Sequence, residues 1–337
     1  MVISILQHSN LKQNHTSCFT ETFSQVHPPM EKKILIAVDG SSYSTQALEY
    51  IALLFADDPN VHFHLMSCVS GHENILPSTT DRRDSLLPSS GSQGKRQTAE
   101  RYLENATTKL IHLQITPERI HSSVEPSGYD IAATIQRQAE NLLMDSILIG
   151  RRGLNTLSEM LLGSVSATLL KTCHAIPLWI IDGEVRNRNF LVPVDGSLPS
   201  LLAIDHLTHI MEGRQDITLY LFHCLHFLGN TVETTPESFY HLFAKEWCDT
   251  HLCDDKSLFH GPTQLLLEAG IPKEHIIILP EKSDLEAARS IIRQAEKHQC
   301  GTIVIGRRGD GTTKGILGGV SDRTVKNAQD IALWVVG

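Results

Sequence analysis

The chain has 337 residues, of which 41% are hydrophobic and 20% charged, with a formal net charge of −9. That length suggests two domains of roughly 100–200 residues, and the apolar content excludes wholesale disorder. The acidic balance argues against general binding to nucleic acid or to an anionic membrane, because basic residues come only in short pairs such as Arg82-Arg83, Arg151-Arg152 and Arg307-Arg308.

Residues 1–30 mix His, Asn, Gln, Ser and Thr and read as a disordered extension. They lack the basic start and apolar stretch of a secretory signal. No apolar run approaches the ~18 residues of a membrane span. Seven cysteines, an odd number, fit reduced thiols, so a cytoplasmic protein is expected.

From residue 31 the pattern alternates between short apolar runs and amphipathic segments. Residues 33–38 read as a buried strand running into Asp39-Gly40-Ser41. Ser44–Phe55 has apolar residues at helical spacing (Ala47, Leu48, Ile51, Ala52, Leu54, Phe55), and residues 61–69 read as a second strand. Residues 71–96, rich in Ser, Pro, Gly and charge, read as a loop. A helix is expected over 97–114, a short strand over 119–124, a helix over 128–142, a strand over 146–150, a helix over 164–173 and a last strand over 177–182. Strands alternating with helices imply parallel pairing with helices on both faces. Ligands of such sheets bind beyond the carboxyl ends of the strands, where the strand order reverses.

The same series then repeats. Ile34-Leu-Ile-Ala-Val-Asp-Gly-Ser41 returns as Phe190-Leu-Val-Pro-Val-Asp-Gly-Ser197, and Ser146-Ile-Leu-Ile-Gly-Arg-Arg-Gly153 as Thr302-Ile-Val-Ile-Gly-Arg-Arg-Gly309. The offset is 156 from Asp39 to Asp195, from Ile115 to Ile271 and from Gly150 to Gly306; it falls to 155 from Trp179 to Trp334. An offset held over so many positions argues a duplication of whole domains. The expected domains are 31–182 and 189–337, with a linker at 183–188.

The chemistry concentrates in two loops per half. Gly150-Arg151-Arg152-Gly153, then nine residues, then Gly163-Ser164, follows an apolar strand and precedes a helix. Glycines there permit positive φ angles and close approach of a ligand to the backbone. The helix start offers unpaired N–H groups and a positive dipole end, which together form an anion site suited to phosphate. Ser164 and Ser166 add hydroxyl donors. The plainer alternative is a turn shaped by glycine and a helix capped by Ser164. Asp39 and Asp195, at the ends of the first strands, can accept from a ribose hydroxyl or an adenine amino group, hold a metal-bound water, or simply order the Asp-Gly-Ser turn. Gly-x4-Gly-Lys-Ser/Thr, Gly-x-Gly-x-x-Gly after the first strand and Gly-x-Ser-x-Gly are all absent.

Val-Asp-Gly-Ser after strand one, combined with Gly-x2-Gly-x9-Gly-Ser after strand four, resembles the universal stress protein family, and the duplication resembles its tandem members. The resemblance covers 31–182 and 188–337. It implies two five-stranded parallel-sheet α/β domains, Rossmann-like and of the adenine-nucleotide α-hydrolase type. It also implies ATP or another adenine nucleotide as ligand, alone or with Mg²⁺. Carried over by motif, the nucleoside falls to Asp39 and the backbone at Cys68. The phosphates fall to Gly150, Gly153, Gly163, Ser164 and Ser166. In the second half the matching residues are Asp195, Cys224, Gly306, Gly309, Gly318 and Ser321, but only eight residues separate Gly309 from Gly318, and Gly319 replaces Ser164. Binding is therefore expected mainly in the first half.

The resemblance also implies antiparallel pairing of the last strands, and so an intramolecular pseudo-dimer through Pro177–Ile181 and Ala332–Val336, with Trp179 and Trp334 at the contact. The segment with Cys248, His251 and Cys253, near His241 and His260, reads as a helix; its spacings match no common zinc site. The function expected is a stress or regulatory protein acting by nucleotide-dependent conformation or choice of a protein partner. The alternatives are a slow ATPase or nucleotidyl enzyme, and a ligand-free structural pseudo-dimer.

Overall fold

The Asp-Gly-Ser tripeptide is a complete turn and helix start in both halves. The Asp39 carboxylate accepts from the Ser41 amide at 3.0 Å, and Gly40 takes a φ of +78°. Ser41 then caps the next helix by accepting from the Ser44 amide at 3.1 Å. Asp195, Gly196 (φ +76°) and Ser197 repeat the device. A left-handed residue between a carboxylate acceptor and a cap is where glycine is favoured.

The computed structural model describes residues 30–70, 90–128, 130–153, 162–226, 235–253, 256–284, 286–307 and 319–337. The chain forms two compact units. The first holds residues 31–188 together with 322–335 and Gly337; the second holds 189–321 and Val336.

In the first unit the elements run β1 (Lys32–Ala37), α1 (Ser42–Phe55), β2 (Val61–Ser70), α2 (Ser90–His112), β3 (Ile120–Ser127), α3 (Ile131–Asn141), β4 (Ser146–Gly150), α4 (Ser164–Thr172) and β5 (Leu178–Ile181). The strand order is β3-β2-β1-β4-β5, all parallel. The chain thus leaves β1 in one direction for β2 and in the other for β4, the switch point at which α/β sheets open a crevice. Ile34, Leu35 and Ile36 are wholly buried, as a strand covered on both faces requires.

Helix α2 begins at Ser90, well before the expected 97, so residues 90–96 are helical and the loop reading fails there; residues 71–89 lie outside the described residues. Ala99, Leu103, Ala106 and Leu110 form a buried stripe at helical spacing. Arg96 pairs with Glu100 at 2.9 Å, one turn apart. A stripe anchored on the sheet lets a helix extend through Gly94 despite its poor propensity.

A sixth strand completes this unit. β12 (Ala332–Val336) pairs antiparallel with β5, with Trp334 opposite Trp179 in the register, so the expected pairing of last strands is present. Their rings stack at 3.9 Å with an interplanar angle of 1°, both fully buried. Trp334 Nε1 donates to the Tyr50 hydroxyl at 2.8 Å, which satisfies the buried indole. The helix before β12, α9 (Val320–Asn327), ends on Arg151: its guanidinium donates to the carbonyls of Ala328 at 2.6 Å and Lys326 at 2.8 Å. A cation on the last carbonyls of a helix satisfies orphan acceptors and complements its dipole.

The second unit contains β6 (Asn189–Pro193), α5 (Leu198–Ile210), β7 (Thr218–Phe222), β8 (Cys224–His226), α6 (Lys245–His251), α7 (His260–Glu268), β9 (Ile276–Ile278), β10 (Lys282–Asp284), α8 (Ala287–Lys297) and β11 (Thr302–Gly306). Its order β11-β6-β7-β9 mirrors β4-β1-β2-β3. The strands corresponding to β2 and β3 are each broken here. Three residues, Leu279–Glu281, face only two, Phe222 and His223, before β10 and β8 pair separately. Pro280 stands in that bulge where the first half has Val124, and its fixed φ suits a bend more than a continuous strand.

Removing the Trp334 side chain empties the centre of the β5–β12 contact and removes the indole's hydrogen bond to the Tyr50 hydroxyl. Trp334→Ala is expected to cost about 3–5 kcal/mol in urea unfolding of the full chain, with a smaller loss for Trp334→Phe. A loss under ~1 kcal/mol for the alanine variant would contradict this packing.

Candidate functional site

A cavity of about 810 Å³ opens at the switch point of the first unit. It lies within the ~300–1,000 Å³ usual for small-molecule sites. All seven first-half residues singled out from the sequence line it: Asp39, Cys68, Gly150, Gly153, Gly163, Ser164 and Ser166.

The glycines act by space, not by φ. None of Gly150, Gly153 and Gly163 has a positive φ, which corrects the expectation from the motif. A Cβ at Gly150 would lie 2.6 Å from Cβ of Tyr43 in the first turn of α1, and one at Gly153 would lie 2.6 Å from Oδ2 of Asp39. A Cβ at Gly163 would come within 3.2 Å of the Arg152 α-carbon. Gly153 therefore lies against Asp39, and Arg151 and Arg152 lie against the start of α4.

Ser166 differs from its expected role as a ligand donor. It is buried, and its hydroxyl donates to the Gly150 carbonyl at 3.0 Å, tying the first turn of α4 to the end of β4. Ser321 does the same to Gly306 at 2.7 Å. Gly163, not Ser164, is the N-cap residue, and no side chain caps this helix. The first-turn amides of α4 have no intrahelical acceptors, and that turn lines the cavity.

The sequence reading missed much of the rest of the wall. Helix α2 contributes Lys95, Thr98 and Tyr102, α3 contributes Ile131 and Ile135, and the loop contributes Arg152. The Tyr102 ring packs over Gly40, so closely that a Cβ there would fall 2.6 Å from its Cδ1. Tyr102 lies beside the buried stripe of α2, and that amphipathic spacing was the available signal. Met66, Val69 and Ile149 make the floor apolar. Asp39 supplies the one carboxylate among the described lining residues, and the hydrogen bond it accepts from the Ser41 amide shows that turn ordering and a place in the cavity wall coexist.

In the second half, Gly306 is pressed against the carbonyl of Pro199, the counterpart of Tyr43. Asp195 accepts from the amide and the hydroxyl of Ser197, at 3.0 and 2.5 Å. Gly309 and Gly318 lie outside the described residues. Burial holds the Cys224 thiol above its ordinary pKa. The Cys248–Cys253 segment is the helix α6, with Cys248 buried and His251 Nδ1 3.2 Å from His260 Nε2. Among the described residues no group of three or more His, Cys, Asp or Glu side chains is placed to hold a metal. No described helix is long and apolar enough to cross a membrane.

Burial, followed by the neighbouring Glu125 carboxylate, pushes the Cys68 thiol up to about 12. Cys68 is thus a neutral part of the wall at physiological pH. Its alkylation at pH 8, followed by mass spectrometry of its peptide, is expected to be slower than that of a free thiol by on the order of a hundredfold. Alkylation at the free-thiol rate would show a solvated, ionisable group instead.

The profile of the Universal stress protein family matches residues 30–182 and again 186–336. The Universal stress protein YxiE of Bacillus subtilis (strain 168) is 29% identical over 153 residues, 44% of this chain and 98% of that protein. Among solved structures, a universal stress protein from Archaeoglobus fulgidus DSM 4304 superposes with a TM-score of 0.60 at 19% identity, covering 91% of this chain and 96% of that one. A functionally unknown protein from Pseudomonas aeruginosa PAO1 gives 0.51 at 16% identity, covering 91% and 92%. With the family profile matched twice and nearly end to end, the chain belongs to the universal stress protein family, as a tandem member.

Proposed function

We propose that the protein is a nucleotide-responsive regulator whose first half binds ATP or a related adenine nucleotide. The observation that carries this reading is the convergence, in one cavity, of three different chemistries. An apolar floor (Val38, Met66, Ile149) suits a purine, the Asp39 carboxylate suits a ribose hydroxyl or exocyclic amine, and the Gly150–Gly153 loop with the start of α4 suits phosphates. When bound, the nucleotide brings a polyanion to that loop. Asp39 would orient the sugar, and the Gly153 backbone and the first-turn amides of α4 would hold the phosphate charge, with or without Mg²⁺.

A regulatory role is favoured over turnover by the lining itself. Asp39 is the sole described carboxylate there and is already committed to the Asp-Gly-Ser turn, so no described lining residue stands out as a positioned general base. The second half has Pro199 for Tyr43, Gly319 for Ser164 and one residue fewer in its loop, and is read as the weaker or silent site. The outcome of binding is assigned to conformation and to an unidentified protein partner in the cytoplasm.

Mass spectrometry of small molecules released from the purified full chain, followed by calorimetric titration with ATP, tests the reading. One tight site per chain is expected. Gly153→Val sets a side chain against Asp39 Oδ2, and should weaken ATP binding at least about tenfold, or ~1.4 kcal/mol, with the thermal unfolding of the apo chain little changed. Unaltered affinity in a folded Gly153→Val chain would reduce the loop to a turn. Sustained ATP hydrolysis with Mg²⁺ would favour the enzymatic alternative.

A further inference from the structure

Arg151 and Arg152 are adjacent but do different work. Arg151 is buried and holds the end of α9. Arg152 lines the cavity instead. Its Nη1 donates to the Tyr43 hydroxyl at 2.5 Å, and its guanidinium carbon lies 5.3 Å from the centre of the same ring, within cation–π reach. The backbone of Arg152 is placed independently, since its α-carbon packs against Gly163, the N-cap of α4. The Arg152 backbone thus sits on the cavity wall beside the N-cap of α4, while its guanidinium is held at the Tyr43 hydroxyl in the first turn of α1.

We propose that Arg152, positioned by Tyr43, sets how many phosphates the first-half site prefers. The inference rests on the nucleotide reading above and deepens it. Backbone amides at a helix start serve one phosphate group at close range and carry only partial charge. A planar guanidinium carries a full charge and binds phosphate oxygens in a bidentate way. From its anchor at Tyr43 it adds charge-assisted bonds that only a di- or triphosphate chain is long enough to collect. Tyr43 limits the rotamer entropy lost when those bonds form. The second half carries Pro199 at the Tyr43 position and cannot build this tether.

The test is titration of the full chain, and of its Arg152→Gln and Tyr43→Phe variants, with ATP, ADP and AMP, with thermal melts confirming that each chain is folded. Wild type should bind ATP most tightly and AMP least. Arg152→Gln should weaken ATP about tenfold while changing AMP less than about twofold, collapsing the ATP-to-AMP preference. Tyr43→Phe keeps the ring and removes the hydroxyl acceptor, so it should shift the preference in the same direction by a smaller factor. If Arg152→Gln weakens ATP and AMP equally, Arg152 shapes the loop and the proposal is overturned while nucleotide binding stands. If wild type binds ATP but the preference is untouched in both variants, the proposal is likewise wrong. A wild-type chain that binds none of the three nucleotides removes the underlying reading as well.

Discussion

Gly150 ends β4 with its α-carbon pressed on the first turn of α1, where any side chain would collide with Tyr43. That close approach sets the path of everything that follows. It starts the loop low against the sheet, so that Gly153 meets the Asp39 carboxylate, and it leaves the Gly150 carbonyl to receive the Ser166 hydroxyl from α4. The strand end, residues 151–153 and the helix start thereby form one corner. On the proposed nucleotide reading, backbone donors already aimed at the ligand would lose little entropy on binding. The same collision at Gly306 with Pro199, and the same Ser321 bond, show that this corner is a property of the repeat and not of one ligand.

From that corner the chain sends two arginines to different partners. Arg151 is buried and reaches the carbonyls of Lys326 and Ala328. Burial works against its charge and against that of Asp182, and their pairing at 3.6 Å offsets part of the cost. The two carbonyls at the end of α9 give the guanidinium the hydrogen bonds that an ion pair alone would not. The start of the loop after β4 and the docking of α9 and β12 therefore meet at Arg151. The stacked tryptophans complete the contact, bringing two of the largest side chains out of water where two strands would otherwise have been open edges.

The halves have diverged around a common frame. Each keeps the Asp-Gly-Ser turn, the order of its inner strands and the serine bond to the glycine carbonyl. The second half interrupts two strands at the Leu279–Glu281 bulge, and its sequence has one residue fewer between Gly309 and Gly318 than the first half has between Gly153 and Gly163. Bulges next to a site re-aim side chains and end pairing. Both changes fall at the carboxyl ends of strands, where a ligand would sit, so they alter the site while leaving the hydrophobic frame intact.

The sequence by itself determined the duplication, the alternation of strands and helices, and the Asp-Gly-Ser and glycine-serine motifs whose residues line the first cavity, because these depend on local periodicity and on the narrow chemistry of glycine, serine and aspartate in turns. Cys68 and the pairing of the last strands came instead through the family resemblance that those motifs carry. What only the tertiary structure decided were matters of side-chain contact between distant segments. The loop glycines are demanded by neighbours at Tyr43 and Asp39 and not by φ, Ser166 spends its hydroxyl on Gly150, and helix α2 starts at Ser90, ahead of its buried stripe. Likewise, two adjacent arginines with the same local signal part company, one to a helix end at Ala328 and one to Tyr43. Periodicity reports which face of an element is buried, but a long polar side chain takes its role from whichever partners the fold brings within ~3 Å, and those partners lie more than a hundred residues away in the chain.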